Sequence, residues 1–73
     1  MTRDALVAII EGELARVFGP VHVRTLTDPV TATWSARAVR VTPLGPLPIA
    51  STGDHATEMD ALTELLRLCV VTT

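Results

Sequence analysis

The chain has 73 residues, of which 48% are hydrophobic and 19% charged, and its formal net charge is −2. This balance is too apolar for a disordered tail. The longest apolar run, residues 5–10, is far shorter than the ~20 residues that a membrane span needs. One cysteine cannot form an internal disulfide, which excludes a disulfide-stapled secreted scaffold. With no signal-peptide pattern at the N-terminus, we expect one soluble, cytoplasmic domain over residues 1–73.

The composition lacks Lys, Asn, Gln and Tyr, and all six basic residues are Arg. The missing residues include those with AT-rich codons, so the bias indicates a bacterial or phage genome of high GC content. A chain this short is marginally stable as a monomer. Since the sequence offers neither a disulfide nor a metal cluster, we expect self-association to supplement its core.

The first predicted element is a helix over residues 3–18. Thr2 is its expected N-cap, and Gly19 followed by Pro20 ends it. Gly12 lies mid-helix, where it is expected to allow close approach of another element. The apolar stripe at helical spacing comprises Leu6, Val7, Ile10, Leu14 and Val17.

Three predicted strands follow. Residues 21–27 and 32–41 alternate in polarity as strands do, with a turn at residues 28–31 between them. The alternation slips at Val39 and Val41, which predicts either a bulge or an exit of the chain from the sheet near these residues. The prolines that come next exclude a central strand, so residues 47–52 are predicted to form a short edge strand.

The last predicted element is a helix over residues 57–70, with Thr57 as its N-cap. Its apolar arc is wider than one buried face requires. The arc contains Leu62, Leu65, Leu66 and Cys69, with Met59, Leu68 and Val70 at its sides. Because Cys69 lies in the middle of this arc, we interpret it as a packed core thiol.

The element order is helix, strand, strand, strand, helix. It predicts an α+β fold with a three-stranded antiparallel sheet, two helices packed on one face, and the other face open as a candidate working surface. This α-β-β-β-α order resembles the double-stranded-RNA-binding domain, which implies a phosphate grip by lysines at the start of the second helix. The matching positions here hold Asp54, His55, Glu58 and Asp60. Acids repel phosphate, so RNA binding in that mode is not expected.

A second resemblance is local and covers residues 47–62. The residues that carry it are Leu47, Pro48, Gly53, Asp54, Thr57, Ala61 and Leu62. They resemble the strand-to-helix passage of HicB-like antitoxin domains, and the resemblance implies a small protein partner. The rest of that family's pattern is absent, because its first element is a strand and the first element predicted here is a helix.

The basic residues of the predicted strands are the first candidates for a site. They are Arg24, Arg37, Arg40 and His22. One interpretation is a basic sheet face that binds phosphate or an acidic partner. The other is that these are ordinary side chains that keep an exposed strand soluble. Arg37 and Arg40 are three positions apart and are therefore expected on opposite faces. Trp34 is either a core residue between alanines or an interface anchor.

Neither histidine has the neighbours that a metal or catalytic site requires. His55 with Asp54 and Glu58 is the only local cluster, and His22 alternates with valines. No cofactor, metal site or catalytic set is predicted. Ile9 lies off the first helix's apolar stripe, and together with the wide arc of the second helix it indicates apolar surface that a partner covers.

The sequence thus predicts a non-enzymatic protein-interaction or regulatory module that forms a homodimer or binds a small protein partner. The candidate interaction surface comprises Ile9, Arg24, Arg37, Leu68 and Val70. Two alternatives stay open. One is a nucleic-acid-binding domain that uses the sheet-face arginines, and the other is a subunit of a small oligomeric enzyme whose site, with His22 or His55, is completed across an interface.

Overall fold

The computed structural model describes residues 2–72, and the side chains of residues 2–70. Its elements in chain order are α1 (Arg3–Phe18), β1 (Val21–Asp28), β2 (Thr33–Thr42), β3 (Gly45–Ser51) and α2 (Glu58–Thr72). The strands form an open antiparallel sheet in the order β1-β2-β3, with both helices on one face. The predicted α+β fold class is confirmed.

Helix α1 has the predicted bounds. The Thr2 side chain caps it by accepting a 3.2 Å hydrogen bond from the Ala5 N–H. Leu6, Ile10 and Leu14 are buried, as predicted, but Val17 is 62% exposed. The reason is geometric, because a row at i+4 spacing continues from Leu14 to Phe18, and Phe18 packs against the core in place of Val17.

Gly12 lies in the exposed middle of α1, and no heavy atom is within 4 Å of a Cβ built there. The expectation that another element approaches it was therefore wrong. Gly12→Ala should raise the free energy of unfolding by about 1 kcal/mol, since glycine costs that much in a helix interior. Gly19, at φ +76°, is the contrasting position, and Gly19→Ala should lower stability by about 1–3 kcal/mol. Urea denaturation measures both, and a destabilised Gly12→Ala variant would contradict this assignment.

The β1–β2 hairpin pairs in continuous register from Val21 opposite Arg40 to Asp28 opposite Thr33. Asp28 Oδ1 accepts a 2.9 Å hydrogen bond from the Val30 N–H, which holds the turn. Ala32 has φ 55° and so belongs to the turn, although it was predicted as the first residue of the strand. The turn geometry fixes which residues of the two strands face each other.

Strand β3 begins two residues earlier than predicted, at Gly45, and it is an edge strand as expected. The register shift lies where β2 passes from Ala38 to Val39, close to the predicted bulge. Ala38 pairs with Ala50 and Val39 with Pro48, so the extra residue is Ile49 of β3. The irregularity thus belongs to the partner strand, whereas the sequence placed it in β2.

The core lies between the helices and the sheet. Ala36 and Ala38 of β2 are fully buried, and their small side chains let α2 pack closely on the central strand. Trp34 is partly buried and packs against this core. Burial raises the pKa of the Cys69 thiol, and its 2% exposure confirms the predicted core position. The fully buried large side chains are Ile10, Leu14, Leu62, Leu65 and Cys69.

Candidate functional site

The sheet surface that faces away from the helices is called the open face here. Val21 and Val23 point to the core, so the residues that alternate with them and their cross-strand partners lie on the opposite side. The open face comprises His22, Arg24, Leu26, Asp28, Thr33, Ser35, Arg37, Val39, Val41, Pro46, Pro48 and Ser51. No helix of the described chain covers it, and it therefore remains available to a partner.

Two arginines lie side by side on the open face. Arg24 of β1 and Arg37 of β2 are direct cross-strand partners, an arrangement in which like charges destabilise a sheet. The ion pairs found among residues 2–70 involve other cations, and within these residues neither of the two arginines has a carboxylate within 4.0 Å. A cross-strand pair of arginines with no carboxylate partner among residues 2–70 can bind an anionic group.

Arg40 does not join this pair. It lies opposite the core-facing Val21 and is therefore on the helix side of the sheet, as the three-residue spacing from Arg37 predicted. It lines a separate shallow cavity beside Phe18 and Leu47. Of the three strand arginines that the sequence offered as one candidate site, the structure places Arg24 and Arg37 side by side and Arg40 on the other face.

A shallow hollow of about 220 Å³ lies next to the arginine pair. Its base is Val39, which is only 8% exposed although no helix lies above it, and its rim includes His22, Arg24 and Pro46. Val41, at 43% exposure, extends the apolar part of the surface. The hollow suits an apolar side chain whose neighbours carry negative charge.

His55 occupies a structural position. Its backbone pairs with Trp34 through two 2.7 Å hydrogen bonds, and its Nε2 lies 2.9 Å from Glu64 Oε2. Glu64 Oε1 also accepts a 3.1 Å bond from the Gly53 N–H. We call this set of Glu64, His55 and Gly53 the Glu64 clamp, because it fixes the segment between β3 and α2.

The Glu64 clamp predicts a pH dependence of stability. The hydrogen bond from His55 lowers the pKa of the Glu64 carboxyl below its ordinary value of 4.5. Its stabilising contribution is therefore complete above pH 4.5 and is lost as the pH falls through the lower, folded-state pKa. The gap in urea midpoint between the native chain and Glu64→Gln should shrink as the pH drops below 4.5. A gap that stays constant from neutral to acidic pH would contradict the clamp.

The start of α2 contacts both the sheet and helix α1. Thr57 caps the helix, as predicted, by accepting a 3.1 Å bond from the Asp60 N–H. Glu58 Oε2 accepts a 2.5 Å bond from Thr25 Oγ1 of β1 and lies 3.3 Å from Arg3 Nε of α1. The acidic residue that stands where a double-stranded-RNA-binding domain would hold a lysine is thus engaged inside the fold.

The predicted interaction residues divide between two sides of the molecule. Arg24 and Arg37 lie on the open face, whereas Ile9, Leu68 and Val70 lie in the helix layer with exposures of 41%, 38% and 63%. They do not form one continuous surface. Leu26, Val39 and Val41 of the open face are not among the interaction residues predicted from the sequence. Strand alternation could place them on one side, but their pairing with the arginines depends on the register.

Comparison with known protein families, curated proteins and solved structures finds no match for this chain. Neither helix of the described part is long and apolar enough to cross a membrane. Across residues 2–70, no three side chains of His, Cys, Asp or Glu come together as metal ligands. The features of the described chain that bear on function are therefore the geometry and the charge of the open face.

Proposed function

We propose that this chain is a non-enzymatic, cytoplasmic protein-interaction module that works as a homodimer and binds an acidic protein segment on its open face. The observation that carries the proposal is the uncompensated Arg24–Arg37 pair beside the hollow based on Val39. A carboxylate of the partner would bind the guanidinium groups, and an adjacent apolar side chain would fill the hollow. Tryptophan and arginine anchors are common at such sites, and here the anchors are arginines.

The charge distribution favours an acidic partner. Residues 21–51 carry three arginines and one aspartate, whereas the rest of the chain carries seven acids and three arginines. The sheet is therefore positive on a protein whose net charge is −2. A partner with a negative segment is steered to the sheet and repelled by the helix layer.

The same charges argue against a second copy bound to the open face in a two-fold contact centred on the arginine pair. A two-fold contact brings the same patch of both copies together. It would place each Arg24–Arg37 pair against its counterpart, and like charges held together cost binding energy. The open face is thus better suited to a different protein, and the homodimer requires another surface.

Nucleic-acid binding is the second candidate, because Arg24 and Arg37 are cross-strand partners on one face of the sheet and arginines can contact phosphates. Affinity for nucleic acid grows with the number of phosphates neutralised, and Arg40 lies on the other side of the sheet. The enzyme alternative has less support, since His55 is held in the Glu64 clamp. His22 makes no side-chain hydrogen bond within the described residues.

A displayed library of random peptides tests the proposal with a defined probe. We expect the native chain to enrich peptides that combine Asp or Glu with a large apolar residue, and Arg24→Ala/Arg37→Ala to lose this binding. Arg16→Ala/Arg67→Ala is the matched control, because it removes the same charge from exposed helix positions and should still bind. Enrichment of basic peptides, or equal loss in both double variants, would contradict the proposal. Salt-sensitive binding of an RNA or DNA oligonucleotide would favour the alternative.

A further inference from the structure

We propose that two copies of this chain pair through the exposed edges of their β1 strands, antiparallel and centred on Leu26, to form one continuous six-stranded sheet. The proposal deepens the proposed function, since it names the surface through which the homodimer forms. It is carried by the direction of the β1 backbone groups and by the charges at positions 24 and 28.

The two edges of the sheet differ in their capacity to accept a strand. On β3, Pro46 lies opposite Val41 and Pro48 opposite Val39. A proline has no N–H, and its nitrogen fits only on the side of an edge strand that faces away from the ladder. The outer edge of β3 therefore lacks two successive donors and is closed to strand addition.

The outer edge of β1 is blocked at one end only. The Val23 N–H points away from β2 and donates a 3.0 Å bond to Glu11 Oε2 of α1. Because backbone groups alternate in direction along a strand, those of Thr25 and Thr27 also point outward. No described residue accepts from either N–H, so the half of β1 from Arg24 to Asp28 is an open edge.

Pairing centred on Leu26 satisfies these groups. Thr25 lies opposite Thr27 of the second copy, and the two-fold axis repeats this pair, which gives four N–H to C=O hydrogen bonds. Leu26, which is 47% exposed, meets its own counterpart. The two-fold symmetry places Arg24 of each copy opposite Asp28 of the other copy. Threonine pairs and opposite charges across strands are both stabilising.

Neighbouring registers lose these advantages. Centring on Thr25 places Thr27 opposite Val23, whose N–H already binds Glu11, and leaves Arg24 opposite Leu26. Centring on Thr27 places Thr25 opposite Pro29, which has no N–H to give. The register centred on Leu26 also supplies a carboxylate to Arg24, whose only charged cross-strand neighbour within the chain is Arg37.

Charge reversal tests the register directly, with sedimentation of the full chain over a concentration series as the measurement. Arg24→Asp and Asp28→Arg should each weaken dimerisation by about tenfold or more, since each creates two like-charge pairs. The double variant Arg24→Asp/Asp28→Arg should dimerise more tightly than either single variant, because it restores both opposite-charge pairs. Arg40→Asp is the control, because it makes the same charge reversal on the other side of the sheet, opposite Val21, and its variant should dimerise within a few fold of the native chain.

Two further variants keep the test independent of folding and of the proposed function. Asp28→Asn removes the charge but keeps an acceptor for the Val30 N–H, and it should weaken the dimer. Thr27→Pro removes an outward N–H and should give a monomer that still binds the acidic peptides, because the open face is intact. Circular dichroism checks the fold of each variant. A native chain that stays monomeric, or a double charge swap that dimerises no better than the single variants, would overturn the interface. Peptide binding tests the open face separately and does not depend on that result.

Discussion

Leu65→Ala should lower the free energy of unfolding by about 2–5 kcal/mol, the range for a buried leucine whose removal leaves a cavity. Leu65 is fully buried in the middle of α2. A domain of this length has a total stability of about 4–11 kcal/mol, so the substitution removes a large share of it. Urea denaturation at one fixed protein concentration measures the loss, because association makes stability concentration-dependent.

The matched control is Leu68→Ala, one turn further along the same helix. Leu68 is 38% exposed, so the same change in side chain should cost less than about 1 kcal/mol. Equal losses at the two positions would mean that α2 is not oriented on the sheet as described.

The second large effect is expected at Ala36 of the central strand. The Ala36 side chain points to the core and is 0% exposed to solvent. Its N–H donates a 2.9 Å hydrogen bond to Thr52 Oγ1, and its C=O accepts one of 2.9 Å from the Thr52 N–H. Ala36→Leu would force three additional carbon atoms between β2 and α2. We expect a loss of about 1–3 kcal/mol, the usual cost of overpacking a dense core, with faster amide exchange in α2.

Ser35→Leu is the corresponding control, since it adds a leucine to the other face of the same strand. Ser35 faces the open side of the sheet, where space is available, and its substitution should change stability by no more than about 0.5 kcal/mol. Denaturation of the two variants compares the two faces directly. If Ser35→Leu is the more damaging change, the assignment of the covered and open faces is wrong.

Local signals predicted most of the fold. The i+4 row of Leu6, Ile10 and Leu14 and the caps at Thr2 and Thr57 depend on neighbours within a few residues, and the structure confirms them. Features that depend on contacts between elements were missed. The sequence did not show that Phe18 would displace Val17 from the core.

The candidate site was predictable only in part, because some of its features depend on contacts between residues distant in the sequence. Alternation could place Arg24 and Arg37 on strand faces, but their direct pairing follows from a turn in which Ala32 takes a positive φ. The Glu64 clamp joins residues nine positions apart, and the Glu11 contact with Val23 joins a helix to a strand edge. No periodicity in the sequence carries such contacts.

The proposed dimer and the proposed binding surface support each other geometrically. Pairing at β1 leaves the open face of each copy on the same side of one extended sheet, with two hollows. Asp28 of the second copy then offsets one charge of each Arg24–Arg37 pair, so that one positive charge per pair stays available beside each hollow. A partner with two acidic segments would then bind both copies and gain avidity without further contacts. The helix layers, which carry most of the acids, would lie together on the opposite side.

Amide-resolved NMR titration with an acidic peptide enriched from the library shows which surface of the protein binds the peptide. We expect chemical shifts to change at Arg24, Arg37 and Val39 of the open face, while those of Ile9 and Val70 in the helix layer stay unchanged. Shift changes concentrated at Ile9 and Val70, with none around the arginine pair, would contradict binding at the open face.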